Sequence, residues 1–86
     1  MSPPKLAIVE DDAAVREALV TTFEDAGYRV FAFEGVQDAL AALAATAPAA
    51  VLLDIRLRDG DGLELLATLR ARFPQLPVIM ATAYTD

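Results

Sequence analysis

Two unbroken apolar runs, Leu6-Ala7-Ile8-Val9 and Ala49-Ala50-Val51-Leu52-Leu53, each stop at acidic residues, Glu10-Asp11-Asp12 after the first and Asp54 after the second. Continuous rather than alternating apolarity is the pattern of strands buried on both faces, as in a parallel sheet covered by helices. In an open sheet of that kind the C-terminal strand ends form the ligand crevice. Asp11, Asp12 and Asp54 are therefore expected together at one rim. Two unit charges about 4 Å apart interact by roughly 4 kcal/mol at an effective dielectric of about 20, so such a cluster calls for a positive partner. A hard divalent cation with oxygen preference, Mg²⁺ foremost, neutralises it and leaves coordination positions for phosphate oxygens. Asp54 is then a candidate nucleophile toward phosphorus, since an exposed carboxylate can attack a phosphorus atom whose charge a cation already holds.

The remaining segments fit the same frame. Lys5 to Val9 reads as the first strand. Asp12 is placed to cap a helix whose apolar face is Val15, Leu19 and Phe23, with Gly27 as its stop. Residues 28–33 are aromatic and β-branched, which favours a second strand. A second helix is expected over 36–47, with Val36, Leu40, Leu43 and Ala47 on one side and Pro48 ending it. The third strand is 49–53. A turn through Arg58-Asp59-Gly60-Asp61-Gly62 leads to a third helix presenting Leu66, Leu69 and Phe73 before Pro74. Residues 78–83 form the fourth strand. Four strands alternating with three helices, without repeats or low-complexity linkers, predict an α/β fold of parallel βαβ units.

Length and charge narrow the function. A chain of 86 residues holds one small domain, here taken as 1–86. A net charge of −6 without a local Lys/Arg cluster argues against nucleic-acid contact from this segment and against anionic lipid. With neither cysteine nor histidine there is no disulfide, thiol nucleophile or imidazole base, and zinc would have carboxylate ligands alone. No signal-like leader and no run approaching 18 apolar residues is present, so the expected location is cytoplasmic, without a membrane span.

Each candidate also has a plainer role. Asp12 as an N-cap contributes about 1 kcal/mol, a role compatible with metal binding. Glu10 is expected to be a flanking group, because adjacent strand residues point to opposite faces. Thr82 ends the fourth strand beside the small Ala83; alone it is a β-branched strand residue, but together with Asp54 its hydroxyl can donate to a phosphoryl oxygen. Arg56, two residues past Asp54, offers a backbone carbonyl to a metal, while its side chain solvates the loop. The run Asp59-Gly60-Asp61-Gly62 resembles the Asp-x-Asp-Gly motif of haloacid-dehalogenase-type phosphatases, but that motif follows a strand directly and here the strand ends five residues earlier, at Asp54. An EF-hand would need further oxygen ligands and a glutamate at fixed spacing.

The run Ile8-Val9-Glu10-Asp11-Asp12, the apolar strand ending in Asp54, Asp61-Gly62 and Thr82-Ala83 resemble the receiver domain of bacterial two-component response regulators. The segments Asp54-Ile55-Arg56-Leu57 and Val78-Ile79-Met80-Ala81-Thr82-Ala83-Tyr84 are most similar to receivers of nitrogen-regulation and dicarboxylate-transport transcriptional regulators. The resemblance implies a flavodoxin-like doubly wound parallel sheet, of which four strands and three helices of a five-stranded domain are covered. It implies no enzyme but a signalling module: Asp54 the phosphoacceptor, Asp11 and Asp12 the Mg²⁺-binding pair, Arg56 a carbonyl ligand and Thr82 the switch hydroxyl. Its partners would be a histidine kinase and an output domain, transcriptional by subfamily. Leu57-Arg58 stands where the family usually has Met-Pro, and Lys5, the only lysine, begins the first strand rather than ending a fifth. The chain is therefore expected to be a truncated receiver that self-associates, as a homodimer, through its uncovered edge. The alternative is a receiver-like interaction module in which no phosphorylation is used.

Overall fold

The computed structural model describes residues 2–54, 56–57 and 60–81, with 56, 57, 60, 61 and 81 described by backbone alone. The run that begins at Leu6 forms β1 (Lys5–Val9), and it has a parallel partner on each side, β2 (Arg29–Phe33) and β3 (Ala50–Asp54). Flanked by strands and covered on both faces, its apolar residues are between 0 and 4% exposed, which is why the run shows no polar alternation. β6 (Val78–Ala81) extends the sheet beyond β3, again in parallel, giving the order β2-β1-β3-β6. That is the flavodoxin-like doubly wound order over four strands.

Parity along the strands divides the core. Ala7 and Val9 of β1 and Val51 and Leu53 of β3 face Ala39 and Leu43 of α2 (Val36–Thr46) and Leu65 and Leu69 of α3 (Gly62–Arg72). Leu6, Ile8 and Leu52 face the other way, against Leu19, Val20 and Phe23 of α1 (Ala13–Asp25). Each fully buried aliphatic side chain contributes roughly 1.5–3 kcal/mol, so the α2/α3 side, with eight buried residues, carries the larger share. No residue of α1 is itself buried. Val15, expected on its packed face, is 38% exposed, because Ile8 is the last apolar side chain of β1 on that side and the first helical turn extends past it.

The helix ends follow from side-chain chemistry. α1 stops in a Schellman motif: the Gly27 N–H donates to Glu24 O and the Tyr28 N–H to Phe23 O, both at 3.0 Å. Gly27 adopts φ +99, a conformation that L side chains rarely reach, and the Phe23 and Tyr28 rings meet edge to face at 5.8 Å. α2 ends at Ala47 in the left-handed region, followed by Pro48. Where they fall on described residues the expected bounds hold to within a residue or two, the expected end of the fourth strand at 83 lying outside them, and there are three differences. Asp54 is the last residue of β3 rather than the residue after it. Between Asp54 and the expected third helix, β4 (Arg56–Leu57) pairs antiparallel with β5 (Gly60–Asp61). Leu65, absent from the expected helix face, is 1% exposed in the core, with Leu66 and Phe73 packed around it.

Candidate functional site

Register decides which carboxylates meet. Val9 is opposite Leu53 in the β1–β3 ladder, so the next residues, Glu10 and Asp54, stand level at the C-terminal rim. Val9 and Leu53 both point toward α2 and α3, and the period of two sends Glu10 and Asp54 together to the opposite side. Glu10 continues the β1–β2 ladder by one bond, its N–H donating to Phe33 O at 3.0 Å. Asp11 follows in a bend that returns its carboxylate toward the pair. Glu10, Asp11 and Asp54 thus present carboxylate oxygens all within 4.8 Å of one another.

The cluster therefore differs in membership from the expected trio. Asp11 and Asp54 meet, and the third carboxylate beside them is Glu10, not Asp12. Asp12 has extended backbone (φ −79, ψ 117) and is the N-cap of α1: its Oδ1 accepts from the N–H of Ala14 at 2.9 Å and of Val15 at 3.1 Å. Its own N–H donates to Glu10 Oε2 at 3.1 Å. Glu10 is thus no flanking group: it points away from the residue before it but shares its strand parity with Asp54, which stands level with it across the ladder. The signal lay in the sequence as the phase of two core runs, but using it requires the register between them.

Glu10 is 9% exposed and Asp11 and Asp54 are half-buried. Burial pushes the Glu10 carboxyl above its ordinary value of 4.5; the Asp12 N–H opposes this, while the charge of Asp54, a side-chain hydrogen bond shared with it, and the charge of Asp11 push it further up. A cation bound among these carboxylates would relieve the same repulsion that raises Glu10. Mg²⁺ ligand oxygens lie about 2.0–2.1 Å from the ion and so stand at most about 4.2 Å apart; this all-oxygen set, within 4.8 Å, needs a contraction of at most about 0.6 Å to hold such an ion. The Arg16 Nη1 donates to Glu10 O at 2.9 Å and to Asp11 O at 3.5 Å, tying α1 to the same loop.

Arg56 follows Asp54 by two residues and opens β4, opposite Asp61. Thr82 and Ala83 lie outside the described residues; Ala81, just before them, is the register partner of Asp54. Asp59 is likewise outside, and Gly62 is a buried residue at the start of α3. Lys5 sits at the opposite end of the sheet, its Nζ donating to Thr46 O at 3.2 Å. No helix among the described residues is long and apolar enough to cross a membrane.

Residues 6–86 match the family described as response regulator receiver domain. The DNA-binding transcriptional regulator NtrC of Salmonella typhimurium is 42% identical over 79 residues, 92% of this chain and 17% of that protein. The C4-dicarboxylate transport transcriptional regulatory protein DctD of Rhizobium meliloti is 37% identical over 83 residues, 96% of this chain and 18% of that protein. These are the two kinds of regulator that the segments around Asp54 and 78–84 resemble, and the chain spans less than a fifth of either. Among solved structures, response regulator TrrA from Thermotoga maritima, in complex with Mg(2+)-BeF, superposes with a TM-score of 0.90 at 27% identity, covering 99% of this chain and 72% of that one. Receiver domains are in general signalling modules that typically bind Mg²⁺ at an acidic cluster, and response regulators take their signal from histidine kinases. With this strand order and three carboxylates at its C-terminal rim, the chain belongs to the response regulator receiver domain family.

Proposed function

We propose that Asp54 is the phosphoacceptor of this receiver, taking a phosphoryl group from a histidine kinase to switch a transcriptional output carried by the full-length protein. The observation that carries this reading is the convergence of Glu10, Asp11 and Asp54 oxygens within 4.8 Å at the strand ends. Asp11, Asp54 and Glu10 would hold Mg²⁺, with the Arg56 carbonyl as a further ligand; Asp12 serves by capping α1. When bound, the ion supplies positive charge against the phosphoryl oxygens. An Asp54 carboxylate oxygen attacks phosphorus, the bond from phosphorus to the donor imidazole nitrogen breaks, and an acyl phosphate remains on Asp54. Thr82 would donate its hydroxyl to a phosphoryl oxygen and so report the change. The resemblance to TrrA, whose structure is a complex with Mg(2+)-BeF, supports the same assignment.

Incubation with Mg²⁺ and a small phosphodonor, read by intact mass, should add one phosphoryl group. The adduct should be lost in Asp54→Asn and kept in Asp59→Asn; an adduct persisting in Asp54→Asn would overturn the assignment. A second reading, an interaction module that uses no phosphorylation, draws on the position of Lys5, the only lysine, far from the acidic rim. Absence of any adduct in the full-length protein would favour it. We further read 1–86 as one domain, cytoplasmic in location. Among the described residues β6 has one strand neighbour and Ile79 is 53% exposed, which supports self-association; a monomer by sedimentation at micromolar concentration would refute that.

A further inference from the structure

We propose that Arg16 is the positioning residue of this site, setting the directions of the Glu10 and Asp11 carboxylates without itself touching the ion; the proposal rests on reading those carboxylates as the Mg²⁺ site. Arg16 lies one turn into α1, its own N–H donating to Asp12 O at 2.8 Å, and it is half-buried. Its guanidinium reaches back over the helix N-terminus. There Nη1 donates to Glu10 O at 2.9 Å and to Asp11 O at 3.5 Å. Glu10 is consequently held at every polar group it has: N–H by Phe33 O, carbonyl by Arg16, and carboxylate by the Asp12 N–H and by Asp54.

The carbonyl contact is the one that matters for aim. Fixing Glu10 O fixes the plane of the peptide joining Glu10 to Asp11, and with it the ψ of Glu10 and the φ of Asp11. Those dihedrals decide where the Asp11 side chain points after the strand has ended and ladder hydrogen bonds no longer constrain it. Asp12 fixes the other side of the same bend through its cap, and Arg16 closes it from the helix. A guanidinium suits the task because its planar fork of donors is rigid and always charged.

The test exploits the different tolerance of two ions. Mg²⁺ demands near-ideal octahedral geometry, whereas Ca²⁺ accepts six to eight oxygens at longer and more variable distances. Mg²⁺ and Ca²⁺ dissociation constants are measured by calorimetry on the parent chain, Arg16→Gln and Arg16→Lys, with circular dichroism as the fold control. Outer-shell changes of this kind weaken metal binding by about tenfold or more; we expect that loss for Mg²⁺ in both variants, with Ca²⁺ changed about twofold or less. Parental Mg²⁺ affinity in either variant, an equal loss for both ions, or a variant lacking the parental helical signal would assign Arg16 a purely structural role and overturn the proposal. A parent chain that binds neither ion would instead bring down the reading of the carboxylates.

Discussion

Asp12 separates two explanations of one acidic residue, and its substitution can be worked through in magnitude. Its Oδ1 serves two amides, at 2.9 and 3.1 Å from the Ala14 and Val15 nitrogens. Replacing such a cap by alanine costs about 1 kcal/mol. In a domain of 60–100 residues each kcal/mol moves the melting temperature by roughly 4–8 °C, so Asp12→Ala should melt about 4–8 °C below the parent. Asp12→Ser and Asp12→Asn keep a capping oxygen while removing the charge and should stay close to the parent. Mg²⁺ at ten times its dissociation constant should stabilise by RT ln 11, about 1.4 kcal/mol. Because Asp12 stands outside the carboxylate cluster, that increment should survive in all three variants. Thermal melts with EDTA and with Mg²⁺ give both quantities. Loss of the Mg²⁺ increment in Asp12→Asn, with the EDTA melting point unchanged, would refute the division of labour and make Asp12 a ligand.

Three further outcomes are expected. The folded-state carboxyl of Glu10 is raised above 4.5 by burial and by the neighbouring carboxylates, so its contribution to metal-free stability is fully present below pH 4.5 and is lost as pH rises through the raised value. Glu10→Gln should flatten that part of the pH–stability curve in EDTA and weaken Mg²⁺ binding, and a curve identical to the parent's in EDTA would count against the raised Glu10 carboxyl. Leu43, 1% exposed between α2 and the sheet, should cost about 2–5 kcal/mol as Leu43→Ala, measured by urea denaturation; under about 1 kcal/mol would mean that the packing is wrong. Gly27→Ala meets no atom within 4 Å, so its cost, roughly 1–2 kcal/mol, comes from backbone conformation alone, and an unchanged melting point would contradict the φ of +99.

The elements were legible where local chemistry fixes them. Asp12 and Gly27 bracket α1 through a side-chain cap and a left-handed stop, both of which depend on a few consecutive residues. The apolar run at Leu6 named the central strand because no polar residue interrupts it. What stayed hidden depends on two segments at once. Glu10 joins Asp54 because Val9 is in register with Leu53, a pairing that neither run announces alone. Val15 lies on the apolar side of its helix yet is partly exposed, since nothing in its own turn reports where the strand beneath it ends. Leu65 and Leu66 are both apolar, and only the packing of α3 against β3 decides that Leu65 is the fully buried one.

The uneven covering of the sheet has a dynamic consequence. α1 has no fully buried residue: its middle turns meet the sheet through half-buried Leu19 and Val20, and its ends are anchored by Asp12 and Arg16 at the start and by the Phe23–Tyr28 pair at the finish. Amides in its middle turns should therefore exchange with deuterium through partial opening, ahead of those in α2, whose Ala39 and Leu43 are sealed in the interior. One of those two anchors is the acidic bend itself, so occupancy of the carboxylates should slow exchange along the helix and carry the event at the rim to a surface more than a turn away.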